Sequence, residues 1–88
     1  MSESHDPSDA IGTVSHYFSH VSVAAISLNA PLSVGERIHI RGHKTDLVQT
    51  VQTMEIEHQR VDRAAANDDV AIGVEDHVRE HDEIFREA

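Results

Sequence analysis

Two segments in which a turn feeds a strand constrain this chain more than any other feature: Leu32-Ser33-Val34-Gly35-Glu36-Arg37-Ile38-His39-Ile40 and Ala65-Ala66-Asn67-Asp68-Asp69-Val70-Ala71-Ile72. After each turn, apolar and polar residues alternate. Side chains along a strand point to opposite faces with a period of two, so such runs bury one face and wet the other. Pieces of this kind predict a small antiparallel barrel.

The alternation extends along most of the sequence. From Ile11, the residues Ile11, Thr13, Ser15 and Tyr17 fall on one face of a first strand, and Gly12, Val14, His16 and Phe18 on the other. Val21 to Leu28 carries apolar residues on both faces, which predicts a strand covered more completely than its neighbours. Asn29-Ala30-Pro31 is turn chemistry, and Gly35 suits a connection with a positive backbone dihedral. Ile38 and Ile40 then share one face, with Arg37, His39 and Arg41 on the other. Between Asp46 and Val61 the apolar positions Leu47, Val51, Met54 and Ile56 reverse parity, which predicts a break or bulge near Gln52 and Thr53. Val61 to Asp69 reads as a connecting loop, because Arg63-Ala64-Ala65-Ala66 is too short to stand as a helix. Val70, Ile72 and Val74 mark a further strand, and Glu83 to Arg86 closes the sheet after a turn over His77 to Asp82. The expectation is an all-β fold, a closed barrel of six antiparallel strands with no exposed edge.

Residues 1–10, with Ser2, Glu3, Asp6, Pro7 and Asp9, lack apolar periodicity and read as a flexible acidic tail ahead of a single domain over 11–88. A chain of 88 residues has room for one core. With 3% aromatics that core must be aliphatic. The absence of cysteine excludes disulfides and thiolate chemistry. No run approaches the roughly 18 apolar residues of a membrane span, and no signal-peptide pattern opens the chain. The expected location is the cytoplasm. Sixteen acidic residues face seven basic ones, for a net charge of −9, and Lys44 is the sole lysine. In molar salt the Debye length falls to about 3 Å and such self-repulsion is screened. The composition thus predicts a halophilic protein, above all an archaeal one, whose acidity answers the solvent rather than a basic partner.

Together the two opening segments resemble domain 2 of elongation factor Tu and other translational GTPases, in which L-x-V-G-D/E-x-I-x-I precedes A-x-x-G-D-x-V-x-I. The likeness runs from Ile11 to Arg86 and takes in Ile11-Gly12-Thr13-Val14, Val51 to Ile56, Asn67-Asp68-Asp69-Val70 and Arg79 to Phe85. It departs at Asn67 and His81, where such barrels tend to have glycine. The resemblance implies a stand-alone elongation-factor-like protein with a Greek-key-like β-barrel of the translation-protein type. In that family the barrel contacts a GTPase domain, the ribosome or the acceptor end of tRNA. No GTPase accompanies it here: Gly42-His43-Lys44-Thr45 lacks the glycine-lysine step of a phosphate-binding loop, so nucleotide hydrolysis is not expected.

Histidines pair at a spacing of four in His16/His20, His39/His43 and His77/His81, but on strands and turns that spacing does not converge three or four ligands on a metal. No nucleophile, base and carboxylate can be assigned from spacing, so neither enzyme nor cofactor is expected. One local feature stands out. Arg37, His39, Arg41 and His43 occupy alternate positions on one strand, with Lys44 just beyond. Such a stripe could track phosphates and stack on unpaired bases, or it could be a solvated face paired with acids such as Glu55 and Glu57. Of Tyr17 and Phe18, one ring faces the core; if Tyr17 is the exposed one, it joins the contact surface. The expected function is a non-catalytic, translation-related module binding RNA (tRNA or ribosomal RNA) or a ribonucleoprotein through Arg37, His39, Arg41, His43, Lys44 and Tyr17. The alternative is a protein-interaction adaptor that docks on a separate catalytic or translation-factor subunit. Neither reading involves a membrane.

Overall fold

In a computed structural model that describes residues 9–87, alternate isoleucines build the interior. Ile26 in β2 (Val23–Leu28), Ile38 and Ile40 in β4 (Arg37–Arg41), Ile72 in β9 (Asp69–Gly73) and Ile84 in β10 (Glu83–Arg86) are all fully buried and share one cluster. Burying a side chain of this size contributes roughly 1.5–3 kcal/mol. The remaining strands are β1 (Gly12–Phe18), β3 (Leu32–Ser33), β5 (Asp46–Thr50), β6 (Met54–Ile56), β7 (Gln59–Arg60) and β8 (Arg63–Ala64). Residues 1–8 of the expected tail lie outside the described residues. No described helix is long and apolar enough to cross a membrane.

The all-β antiparallel class agrees with the alternation, but the strand count and the closure differ. Ten strands are found among the described residues instead of six. Eight form one curled sheet in the order β5-β4-β10-β1-β2-β9-β6-β7, a half-barrel whose ladder ends at β5 and β7. The other two, β3 and β8, pair Leu32 with Ala64 and Ser33 with Arg63. The connecting loop expected over Val61 to Asp69 therefore contains a strand, too short for alternation to mark. The expected break near Gln52 and Thr53 is present between β5 and β6.

Across that break, one side chain does what a ladder does elsewhere. Gln49 of edge strand β5 is buried, donates to the carbonyls of Gly73 and Thr50 at 2.9 and 3.3 Å, and accepts from the Glu75 N–H at 2.9 Å. It thereby ties β5 to the chain leaving β9. Buried polar groups cost stability unless paired, and this amide satisfies itself and three backbone groups.

In β1 the register slips between Val14 and His16. The extra residue of this bulge resets the alternation, so Ser15 and His16 are both exposed while Tyr17 returns to the side of Val14. Uniform alternation placed Tyr17 and Val14 on opposite faces; the bulge corrects that assignment.

One turn recurs three times. In Ser33-Val34-Gly35-Glu36, Ala65-Ala66-Asn67-Asp68 and Arg79-Glu80-His81-Asp82, the third residue has φ of 99°, 74° and 76°. The fourth residue's N–H donates to the first residue's carbonyl at 3.2, 3.2 and 3.1 Å. In each, the fourth residue's carboxylate accepts the first residue's N–H at 2.8 Å. Each turn launches a strand: β4, β9 and β10. The carboxylate satisfies a backbone donor that no ladder reaches, and the left-handed third residue reverses the chain.

Candidate functional site

The outward stripe of β4 exists as alternation predicts, but acids are interleaved with it. Arg41 sits in register between Asp46 of β5 and Glu83 of β10. His39 has a side chain only 13% exposed, with Nε2 2.5 Å from Asp46 Oδ1 and Nδ1 3.7 Å from Glu87 Oε1. The hydrogen bond from His39 holds the Asp46 carboxyl below the ordinary carboxylate range, with desolvation opposing and the charges of His39 and Arg41 assisting. Phe85, opposite His39 in β10, is buried too. Arg37 remains exposed at the end of the strip. The acids around this face are Asp46, Glu83 and Glu87, not the Glu55 and Glu57 that proximity in sequence suggests. Glu55 faces Arg60 across β7 instead.

Tyr17 does not join the stripe. It is half-buried against the core, its ring 4.7 Å from that of His77. Phe18 is the exposed ring, in edge contact with His16 at 4.4 Å. It shares the β1–β2 turn with exposed Val21, whose N–H reaches the Phe18 carbonyl.

His43 and Lys44 have a different setting from the rest of the stripe. They stand on the turn between β4 and β5, against the Arg79 to Asp82 turn that launches β10. Between the two turns lies an open cleft of about 360 Å³ lined by Gly42, His43, Lys44, Arg79, Glu80, His81 and Asp82. Arg79 spans it, one guanidinium nitrogen donating to the Lys44 carbonyl at 3.1 Å and to the buried Thr45 hydroxyl at 3.2 Å. The acids of the cleft are already engaged. Glu80 accepts from His16 Nδ1 at 3.0 Å, and Asp82 accepts the N–H of Arg79. Through that His16–Glu80 contact the cleft adjoins the Phe18 rim, giving one continuous surface. Alternation cannot reveal Arg79 and His81, because they lie outside any strand. The signal was the turn pattern itself, shared with residues 65–68. Among the described residues no three of His, Asp and Glu gather in a metal-holding group.

No family model matches the chain. Over 76 residues it is 36% identical to an uncharacterized protease of Methanocaldococcus jannaschii, in an alignment covering 85% of this chain and 19% of that protease. The chain thus spans about a fifth of the length of the curated relative it matches. It shares its fold with the C-terminal domain of a candidate U32 peptidase from Geobacillus thermoleovorans, at a TM-score of 0.87 over 98% of this chain and 100% of that domain, with 15% identity. The selenomethionine variant of that domain superimposes at 0.83 over 88% of this chain and 98% of its own. These findings liken the chain to part of a protease and to the C-terminal domain of a candidate U32 peptidase, and point away from domain 2 of elongation factor Tu. The translation setting and the RNA-binding function drawn from that resemblance do not hold. The segments that carried the resemblance, Leu32 to Ile40 and Ala65 to Ile72, hold in this chain a carboxylate-capped turn before a strand, a solution to backbone geometry that unrelated β-folds can reach.

Proposed function

We propose that this chain is a non-catalytic β-domain that docks on a protein partner bearing a U32-type peptidase catalytic unit. The observation that carries the reading is the 36% identity with part of a protease over 85% of this chain. The solved fold neighbours support it, because they too were determined as a C-terminal domain of a larger protein. The chemistry of the cleft points the same way. Its carboxylates are occupied, the Thr45 hydroxyl is buried under Arg79, and nothing there pairs a nucleophile with a base. A cleft that carries two cations beside two engaged carboxylates, and that adjoins an exposed aromatic ring, is instead the composition of a protein contact. The reading keeps the cytoplasm as its compartment.

The test is co-expression with a U32-type catalytic subunit from the same genome, followed by size-exclusion chromatography with light scattering in molar salt. A stoichiometric complex is expected, and the chain alone should leave casein uncut. Separate elution, or proteolysis by the purified chain, would remove the reading.

A further inference from the structure

Lys44 and Arg79 are two of the seven formal cations in an acidic chain. In a protein of net charge −9, they sit side by side at one cleft, and no ion pair engages either among the described residues. Of the lysine and arginine side chains, Arg86 alone is in an ion pair among the described residues, with Glu36 at 3.4 Å; what sets Lys44 and Arg79 apart is that they meet at one cleft. Arg79 is fixed by neutral acceptors through one terminal nitrogen. Its Nε and second terminal nitrogen stay available as parallel donors, the geometry that a planar carboxylate meets with two hydrogen bonds. Lys44 lines the same cleft, together with His43, His81 and the carboxylates of Glu80 and Asp82.

From this we infer that the cleft between the β4–β5 turn and the Arg79–Asp82 turn is a carboxylate-binding site, which takes an acidic side chain or a C-terminal carboxylate from a protein partner. The surrounding surface selects for a single carboxylate over a polyanion. Asp46, Glu83 and Glu87 crowd the adjoining β4 face and would repel a chain of phosphates, whereas one carboxylate can meet the Arg79 fork and Lys44 while Glu80 and Asp82 stay turned to His16 and the Arg79 N–H. Arg79 is pre-organised by its hydrogen bonds, so little rotamer freedom is lost on binding. The identity of the partner rests on the docking reading above; the carboxylate chemistry of the cleft does not.

Because Lys44 is the only lysine, zero-length carbodiimide coupling supplies a direct test. In the complex with the U32-type subunit, the reagent should join Lys44 Nζ to an aspartate, glutamate or C-terminal carboxylate of the partner, an amide that mass spectrometry locates. Lys44→Glu should weaken the complex at least about tenfold, and Lys44→Arg should preserve affinity while losing the cross-link. In parallel, the chain alone is titrated with a short peptide blocked at both ends and carrying one glutamate, and with inorganic phosphate. Amide shifts confined to residues 42–45 and 79–82 are expected with the peptide, and smaller ones with phosphate. A complex that forms without the Lys44 cross-link and ignores Lys44→Glu overturns the cleft assignment and leaves docking intact. Peptide shifts without a complex support the cleft and overturn the docking partner. No shifts with the peptide, or equal shifts with phosphate, overturn the carboxylate site.

Discussion

The carboxylate of Asp82 occupies the space where a side chain on Gly42 would begin, since a Cβ at position 42 would overlap Asp82 Oδ1. Asp82 is buried and its other oxygen accepts from Arg79, so it cannot swing aside without undoing the turn that launches β10. Gly42→Ala should therefore cost about 1–3 kcal/mol, the usual range for forcing an extra methyl into packed surroundings. Urea unfolding measures it, and an unchanged midpoint would mean the two turns move apart freely.

Gln49 carries a second expectation. Replacing it with leucine keeps the volume but strips partners from the Gly73 carbonyl and the Glu75 N–H. An unsatisfied backbone group costs about 1–3 kcal/mol when buried, and less at these part-buried positions, so Gln49→Leu should destabilise the fold despite its greater hydrophobicity. Hydrogen exchange at the Glu75 amide should accelerate more than at the amides of β2. Retained protection at Glu75 would show that another group had taken over the bond.

Left-handed backbone at residues with a Cβ offers a test in the opposite direction. His81 has φ of 76°, and Glu57 and His58 have 52° and 67° in the tight β6–β7 turn. Both central residues of a two-residue hairpin turn of this kind favour Asn-Gly. His81→Gly, and Glu57→Asn with His58→Gly, should each stabilise by about 0.5–1 kcal/mol, seen as a melting temperature raised by a few degrees. Gly35→Ala, at φ of 99°, should do the reverse. A fall in melting temperature for His81→Gly would assign its ring a packing role larger than the strain.

Acid should reveal the Asp46–His39 contact. The Asp46 carboxyl is held below its ordinary value of 3.8 chiefly by the His39 hydrogen bond. A carboxylate depressed in the folded state adds stability that is complete above its unfolded-state value and disappears as pH falls through its folded one. That contribution is thus present at neutral pH and lost below pH about 4. Carbon-detected NMR titration should show Asp46 moving back toward 3.8 in His39→Ala. An unmoved Asp46 midpoint would shift the cause to Arg41.

Much of the fold was legible in the sequence where side chains alternate over a long run. The Arg37 to Ile40 and Val70 to Ile72 patterns mark β4 and β9 with the correct inner faces, and the parity change at Val51 marks the break before β6. Shorter pieces were not legible, because β7 and β8 have two residues each and two residues show no period. The site divided in the same way. His43 and Lys44 stood out beside a glycine at the end of the alternating stripe, whereas their partners Arg79 and His81 lie thirty-five and more residues away in sequence and meet them only when the turns converge. The elongation-factor resemblance misled because a carboxylate-capped turn serves any strand that needs a sharp entry.

By itself, the sequence determined the class of the fold and the inward set of isoleucines, since a period of two leaves a strand no other way to bury them. Tertiary structure alone decided that β10 enters between β4 and β1, that a bulge returns Tyr17 to the core side, and that Lys44 and Arg79 share a cleft. Those outcomes depend on pairings between distant segments, where side-chain packing and backbone hydrogen bonds select one register among many that the local pattern permits equally.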